Sequence, residues 1–477
     1  MSALYVAVLV VIAGVLLAVA VSRALLVKTK ADYLVAGRTL SAFVLVLTLL
    51  TSWIGAGSLF AGAENAYRNG FAALWLPAGG WAGLLLIYFI APRARKFAQF
   101  TLPDLLEARY NQAARVLGTI AILFAYVAIT SYQFKGGGNV LHLIFPDTVT
   151  PELGAYIIAA FVIVTTAMAG MSSVAYMDVA IGSMVTVICL IAAPMLLAKA
   201  GGWSGLHASL PQTHFEVLGN LTFVRAMEFM VPTMLLMLGN QVMYQKFFSA
   251  KSERDARVSV VGWILGTVLL ETLIVAIAVF GSALYKTGEV AQQPYEIIPY
   301  TARHGLPALM GALLLGAVFA KVISTASNYL FSSATNLIED VFVRYLVPSA
   351  SNKQVLLFSR AAVALLGCWA LYQAIYAPSV LAKMLYAYTI YSAAVTPVVL
   401  AAFYSKRATA WGAVSAIAIG TVVTLAWDVP GVKGLFPPLL AQRDAIFPAL
   451  FTAVAALVVV SAFTPKPSAE QLAKLAE

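Results

Sequence analysis

Charged side chains are scarce in this sequence. They make up 10% of its 477 residues, whereas a soluble protein carries about 25%. Hydrophobic residues account for 61% and the mean hydropathy is +0.89, which excludes a soluble globular protein. The apolar runs are longer and less broken than the roughly ten-residue alternating strands of a membrane barrel. Because a helix satisfies its own backbone hydrogen bonds in lipid, the composition predicts an all-α membrane protein.

Cysteine and histidine are also too few for a disulfide framework or a metal site. The two cysteines, Cys189 and Cys368, lie within apolar runs and are expected to act as small hydrophobes. The four histidines fall in or near polar loops, without the spacing of metal ligands. The sequence has no Walker-type phosphate loop, no His/Glu zinc motif and no Gly-x-Ser-x-Gly elbow. We therefore expect neither an enzyme nor an ATP-driven pump, and no organic cofactor.

Apolar windows of about 20 residues mark the membrane spans. The first window lacks a basic leader and is too long for a signal sequence, so we treat it as a retained span. About thirteen transmembrane helices are predicted, near residues 3–27, 41–66, 71–91, 115–140, 152–171, 175–199, 223–245, 258–285, 306–332, 355–377, 379–403, 410–428 and 444–463.

The net charge of +10 is best explained by membrane orientation, and no nucleic-acid partner is expected. One set of loops is rich in Lys and Arg, around residues 28–38, 93–115, 246–257, 344–360 and 406–407, and the tail adds Lys466 and Lys474. The opposite set holds only Arg68, Arg225, Lys286, Arg303, Lys433 and Arg443. By the positive-inside rule, we expect a multi-pass protein of the inner or plasma membrane, with its N-terminus outside and its C-terminus cytoplasmic.

The second span is unusually rich in small and hydroxyl residues, between Thr48 and Asn65. This density permits a helix to break at mid-membrane and to free carbonyl groups that coordinate a cation. The alternative is close packing of small residues between intact helices. Composition alone favours neither.

The ninth span places a lysine beside two hydroxyl groups. Lys321, Ser324 and Thr325 share one helix face, because residues three and four positions apart lie on the same side. The hydroxyls suit a hard monovalent cation, although such groups often bond only to the preceding turn. Lys321 lies too deep to reach the membrane surface, so it requires a partner.

Other charged residues also lie at membrane depth. Lys135, next to three glycines, either meets an anionic group of a substrate or reaches the outer interface. Asp178 is expected near the start of its helix, where the helix dipole favours an acid. Glu271 and Lys383 are interpreted as structural partners of other buried charges.

Six motifs in order resemble the sodium:solute symporter family, which includes proline, pantothenate, sialic acid and sugar symporters. No single motif is decisive, but together they span almost the whole chain. They are Asp32–Arg38, Thr51–Ser58 with Tyr67–Gly70, Thr101–Tyr110, Asn240–Lys246 with Ala250 and Lys251, Ser324 and Thr325 with Asn336, Glu339 and Asp340, and Thr396 and Pro397 with Lys406–Thr409.

The resemblance implies a LeuT-type fold with two inverted five-helix repeats, and a solute and ion site near the midplane. Residues 41–403 would form the ten-helix core, with repeats at about 41–200 and 223–403. Residues 1–40 would form a peripheral helix and a cytoplasmic loop, and residues 404–477 two peripheral helices with a short cytoplasmic tail. The implied function is sodium-coupled symport of a small organic solute by alternating access, with the solute and the lipid bilayer as partners.

The resemblance also implies particular site residues. Sodium, the coupling ion, would bind the carbonyls of Thr51, Ile54 and Lys321 and the hydroxyls of Ser324 and Thr325. Asp178 matches an acid that some members use in a second cation site, and it is a candidate cation or proton site here. Candidate solute-binding residues are Gly55, Gly57, Ser58, Trp75, Lys135, Thr233, Leu236 and Met237.

Lys321 departs from the family pattern, in which this position is small. Only its carbonyl is needed for sodium, so sodium still fits if the side chain points away. If the ammonium points into the site, it would repel or replace the ion, giving a proton-coupled or ion-independent carrier. A channel-like protein or a sensor on the same scaffold is a further alternative.

The candidate solute pocket has few of the polar groups that a sugar would require. A small, partly apolar solute fits better. A carboxylate that meets Lys135, or an amino acid, is the expected class.

Overall fold

The computed structural model describes residues 3–97, 100–287, 289–376, 380–427, 429, 431–468 and 471–472. Within these ranges the chain is helical and forms no β-strand, with one isolated bridge between Leu40 and Ala250. Lys474, counted in the basic tail, lies outside the described residues.

Thirteen long helices, two of them interrupted at mid-length, coincide with the thirteen predicted windows in the described part of the chain. They are α1 (Ala3–Ala24), α2 (Ala42–Trp53, resuming over Gly57–Gly62 and Ala63–Asn69), α3 (Trp75–Phe97), α4 (Gln112–Ile144), α5 (Pro151–Met168), α6 (Gly170–Lys199), α7 (Phe223–Gly239 and Gln241–Phe248), α8 (Glu253–Leu284), α9 (Ala308–Asn336, extended by Leu337–Leu346), α10 (Asn352–Ile375), α11 (Val380–Ala394 and Thr396–Tyr404), α12 (Ala410–Trp427) and α13 (Ile446–Phe463).

Short helical segments connect the long ones. They are Lys30–Val35, Ala36–Arg38, Gly70–Leu74, Leu102–Arg109, Gly202–Ser209, Gln212–Phe215, Glu289–Gln292, Pro294–Glu296, Ile297–Gly305, Lys433–Leu435 and Pro438–Ala441.

Local sequence sets several helix boundaries. The hydroxyls of Thr150, Thr222, Ser252 and Ser351 each accept a hydrogen bond from a first-turn amide, at the starts of α5, α7, α8 and α10. Gly170 separates α5 from α6 with a φ of +60°, which a residue with a side chain adopts only with strain. The helices that begin at these residues start within five residues of the predicted windows, and α6 starts five residues earlier than predicted.

The long helices present apolar side chains outward and collect polar groups inward. Val10, Leu85, Leu265 and Phe463 are each 60% or more exposed, as expected for surfaces that face lipid chains. By contrast, α9 is buried continuously over residues 314–336. It is therefore the central helix against which the others pack.

Two helices are interrupted at equivalent places. Eleven helical runs among the described residues are long and apolar enough to cross a bilayer, and α2 and α7 account for the remaining two windows. Ile54 in α2 and Asn240 in α7 both have extended backbones, with ψ values of 116° and 110°. These are the second and seventh helices, which begin the two predicted repeats. Paired interruptions of this kind are typical of transporters built from inverted repeats.

A glycine in α3 permits its close approach to α7. A Cβ atom at Gly79 would overlap the carbonyl oxygen of Met230, so we expect Gly79→Ala to destabilise the protein by about 1–3 kcal/mol through overpacking. Thermal unfolding of the purified protein in detergent measures the change. Gly14→Ala in α1 is the matched control, because nothing lies within 4 Å of its added Cβ. Equal melting temperatures for the two variants would contradict the packing argument.

Candidate functional site

The interruption of α2 exposes backbone groups inside the protein. The hydroxyl of Thr325 donates a hydrogen bond to the carbonyl of Ile54 at 3.1 Å and approaches that of Thr51 at 3.4 Å. On the other side, the amide of Ala56 donates to the side-chain oxygen of Gln133 in α4 at 2.7 Å. The structure thus has the helix break that was one of two interpretations of this segment. Its free carbonyls face the hydroxyl face of α9.

Four of the five residues expected around sodium meet at this junction. The carbonyls of Thr51 and Ile54 lie against Thr325, while the hydroxyl of Ser324 donates to the carboxylate of Asp178. Oxygen groups of this kind are the ligands that a hard cation prefers. The junction therefore has donors suited to sodium, with Ser324 turned toward the neighbouring acid.

The fifth residue, Lys321, directs its ammonium toward one of these carbonyls, that of Thr51. Its Nζ atom lies 3.2 Å from the carbonyl oxygen of Thr51 and 3.4 Å from that of Leu50, and the residue is fully buried. Of the two orientations considered from the sequence, the side chain has the one that points into the site. Two unit charges 4 Å apart repel by about 4 kcal/mol at an effective dielectric constant of 20. A sodium ion and this ammonium therefore exclude one another at Thr51.

Asp178 lies next to this junction, at the centre of a hydrogen-bonded cluster. Its carboxylate pairs with the ammonium of Lys246 at 3.1 Å. It accepts further hydrogen bonds from Thr48 at 2.5 Å, from Asn328 at 3.1 Å and from Ser324. The cluster joins α2, α6, α7 and α9. A cation already sits beside the acid that was a candidate for a second cation or proton site.

Two sequence-based interpretations were wrong here. Asp178 was expected near the start of its helix, but it lies more than two turns beyond Gly170, where α6 begins. The dipole effect is confined to the first turn, so Asp178 is balanced by Lys246 instead. Lys246 was counted as a cytoplasmic loop charge, yet it is fully buried. It lies in an apolar stretch immediately before a basic loop, so the sequence did not show whether it belongs to the buried helix or to the loop.

A small cavity of about 20 Å³ lies beside the interruption of α2. Helices from both predicted repeats form its walls. The lining residues are Trp53, Gly57, Ser58 and Gly62 from α2, Leu76 and Pro77 from α3, Thr233 from α7, Glu271, Ile274 and Val275 from α8, and Met384 and Tyr388 from α11. Three of the candidate solute-binding residues, Gly57, Ser58 and Thr233, are among them.

The other candidate solute-binding residues lie elsewhere. The indole of Trp75 donates to the carbonyl of Val217 at 2.8 Å, in the connection between α6 and α7. Gly55 packs against Thr325 and Gln133, which places it on the ion-junction side of α2. Leu236 and Met237 are fully buried in α7, and Lys135 is half-buried in α4. None of these five lines the cavity.

The cavity contains an acid whose role the sequence did not reveal. Glu271 was interpreted as the partner of another buried charge. Instead it accepts hydrogen bonds from the indoles of Trp53 and Trp81, both at 3.0 Å, and from Ser58 at 3.4 Å. No basic group in the described ranges lies within ion-pair distance of it. An isolated acid in an apolar span was the available signal, but it did not indicate which surface the acid faces.

A second charge cluster gathers several of the motif residues at one end of the bundle. Arg115 pairs with Asp104 at 2.8 Å and with Asp340 at 2.7 Å, and Glu107 bonds to both Arg115 and Arg344. Burial raises the pKa of Glu107, but hydrogen bonds and the charges of the two arginines outweigh it and hold that pKa below its ordinary value. These contacts tie the loop after α3 to α4 and α9.

Removing the charge of Asp178 should destabilise the fold strongly. Asp178→Asn leaves the ammonium of Lys246 buried without a carboxylate, which costs about 3–5 kcal/mol for a broken buried pair. Thermal unfolding in detergent should show a large drop in melting temperature. The double variant Asp178→Asn with Lys246→Met should recover most of the loss, because it leaves no unpaired charge. If the single variant unfolds at the wild-type temperature, the pair does not support the fold.

Comparison with known sequences gives matches along almost the whole chain. The family model for the sodium:solute symporter family matches residues 33–420. The osmoregulated proline transporter OpuE of Bacillus subtilis is 23% identical over 456 residues, covering 92% of this chain and 90% of that protein. The sodium/proline symporter of Staphylococcus aureus is 25% identical over 463 residues, covering 92% and 88%.

Solved structures show the same fold. A Na⁺-coupled sialic acid symporter in a substrate-bound outward-open state superposes with a TM-score of 0.82 at 18% identity, covering 98% of this chain and 99% of that one. Mhp1, a nucleobase-cation-symport-1 family transporter, gives 0.60 at 13% identity, with 94% and 99% covered. The predicted LeuT-type fold is thereby confirmed.

The family model covers well over half of the chain, and the motifs that suggested the family lie within or beside the matched range. The chain belongs to the sodium:solute symporter family, and with it to the multi-pass membrane transporters that couple a solute to sodium.

Proposed function

We propose that this protein imports a small organic solute, either an amino acid or a carboxylate, together with sodium by alternating access. The observation that carries the proposal is the interruption of α2, whose Thr51 and Ile54 carbonyls face the hydroxyl of Thr325. The solute cavity lies on the other side of the same segment. An ion and a solute bound on either side of one unwound segment would each stabilise the same arrangement of α2.

The walls of the cavity, rather than its volume, support the proposed class of solute. Its volume of about 20 Å³ holds about one water molecule, so in this proposal the walls move apart to admit the solute, as alternating access requires. Its walls are mainly apolar, with Ser58, Thr233 and Glu271 as the polar exceptions. The relatives named above are proline transporters, and a solute of that mixed polarity matches these walls.

Lys321 makes sodium binding a competition. Its ammonium bonds to the Thr51 carbonyl, so sodium requires that the side chain first leave that oxygen. The four-carbon stem of a lysine allows such a movement without a change in the backbone. In this proposal the sodium ion and the Lys321 ammonium bind the carbonyl oxygen of Thr51 alternately.

A second candidate function rests on the same contact. If the ammonium never leaves the Thr51 carbonyl, it replaces the sodium ion permanently. The protein would then be a proton-coupled or ion-independent carrier. The separation of 3.2 Å between Nζ and the carbonyl oxygen favours this candidate over a channel or a sensor.

The proposed arrangement in the membrane follows the sequence-based expectations. Repeats at about 41–200 and 223–403 form the core, the N-terminus is outside and the C-terminus is cytoplasmic. The equivalent interruptions at Ile54 and Asn240 support the repeats. The loop charges support the orientation.

The variant Lys321→Met tests which cation the site holds. It keeps the length of the side chain and removes its charge, so we expect sodium to bind roughly tenfold more tightly or better, as expected from a repulsion of several kcal/mol. Titration of the melting temperature with sodium chloride against potassium chloride measures both affinities. Lys383→Met is the matched control, because the ammonium of Lys383 in α11 lies over the ring of Tyr386, whereas that of Lys321 lies at the Thr51 carbonyl.

If sodium stabilises both the wild type and Lys321→Met, and binds the variant more tightly, the result supports competition between sodium and the Lys321 ammonium. Stabilisation of the variant alone favours the second candidate. Equal sodium affinities would show that Lys321 does not compete with the ion.

A further inference from the structure

We propose that Glu271 receives a cationic nitrogen of the transported solute, so that amine- or ammonium-bearing molecules are the substrate class. This inference rests on the proposed function and narrows it, since a simple monocarboxylate is no longer an expected substrate. It assigns a specificity-determining role to an acid of α8 that had been interpreted as structural.

The geometry of Glu271 is that of a fixed acceptor. The residue is 4% exposed and its carboxylate lines the cavity. One oxygen accepts from the indole of Trp53 at 3.0 Å and from the hydroxyl of Ser58 at 3.4 Å, and the other accepts from the indole of Trp81 at 3.0 Å. Two donors from α2 and one from α3 thus hold the carboxylate in place.

These donors leave the carboxylate without an ion-pair partner and with one acceptor position open. All three are neutral, and no basic group among the described residues pairs with Glu271 within 4 Å. An ionised carboxylate accepts about four hydrogen bonds, so one position is available on the oxygen that binds Trp81. A buried carboxylate is normally paired with a cation. A cationic solute would supply that partner from the cavity.

The two buried lysines of this region bond to other atoms, and Lys321 acts on Glu271 only through its charge. Lys321, across the interruption of α2, bonds to the carbonyls of Leu50 and Thr51. Lys246 pairs with Asp178. Both lysines lie on the ion-junction side of the unwound segment, whereas Glu271 lines the solute cavity.

The remaining walls also suit a cation. The rings of Trp53 and Tyr388 both line the cavity and stack with centroids 6.3 Å apart. Aromatic faces attract ammonium groups through their negative π surfaces. A solute that carried only a carboxylate would instead bring a second negative charge next to Glu271.

Trp53 gives the solute a direct connection to the ion junction. Its indole binds Glu271, and its backbone immediately precedes Ile54, where α2 unwinds. A cation on Glu271 therefore acts on the turn of α2 that offers the Thr51 and Ile54 carbonyls. Any such coupling is reciprocal, so sodium is expected to raise the affinity for the amine.

Matched solute pairs test the inference on the purified full-length protein. The probes are L-proline with tetrahydrofuran-2-carboxylate, L-alanine with L-lactate, and choline with its neutral isostere 3,3-dimethylbutan-1-ol. In sodium chloride, we expect an amine member to raise the melting temperature and its partner without the cationic nitrogen to have no effect. Glu271→Gln should weaken amine binding by roughly tenfold or more, as expected for the loss of a charge-assisted contact.

Glu228→Gln is the matched control, because Glu228 is equally buried at 4% but pairs with Arg225 and does not line the cavity. It should bind the amine as wild type does. A sodium-induced rise in the melting temperature of Glu271→Gln would show that this variant is folded.

Three results would overturn the inference. The first is a rise in melting temperature with the neutral or carboxylate isosteres but not with the amines. The second is that no amine in the panel changes the melting temperature, and the third is an unchanged amine affinity in Glu271→Gln. The proposed function fails separately, if proteoliposomes take up the bound solute equally with and without a sodium gradient.

Discussion

The ion pair between Asp178 and Lys246 is the contact on which the centre of this transporter depends. Both residues are fully buried, and their side chains lie 3.1 Å apart. The pair joins α6 to α7, which are the last helix of one proposed repeat and the first of the other. Thr48 in α2 and Asn328 in α9 bond to the same carboxylate. A buried pair stabilises a fold only while both partners are present. The pair and its hydrogen bonds therefore hold these four helices in a fixed arrangement relative to one another.

This constraint places the two proposed sites on opposite sides of one short segment. With α2 and α9 fixed at Asp178, the carbonyls of Thr51 and Ile54 can only face Thr325. The side chain of Trp53 then projects to the other side, toward Glu271 and the cavity. Coupling between ion and solute therefore requires no long pathway. It passes through the unwound turn itself, which both ligands would contact.

Local signals were sufficient for much of the fold, whereas contacts between distant residues decided the rest. Apolar windows located the thirteen helices, and the density of small residues made a break in α2 one of two interpretations. The break in α7 has no such signal, because Asn240 is held by Tyr126 and Tyr329, 114 and 89 residues away in sequence. Lys246 was misplaced for a similar reason, since its partner is 68 residues away. The ion-site residues came with the family resemblance, while the orientation of Glu271 required the packing of α3 and α8 around α2.

The formal charges at the centre add a further constraint on the solute. Asp178 and Glu271 contribute two negative charges, and Lys246 and Lys321 contribute two positive charges, so the buried set sums to zero. Sodium adds one positive charge whichever solute is carried, and a simple amine would add another to a region of low dielectric constant. A zwitterionic amino acid offers its ammonium to Glu271 without changing the sum. Among amine-bearing molecules, the amino acids are therefore the solutes whose entry disturbs the buried charges least.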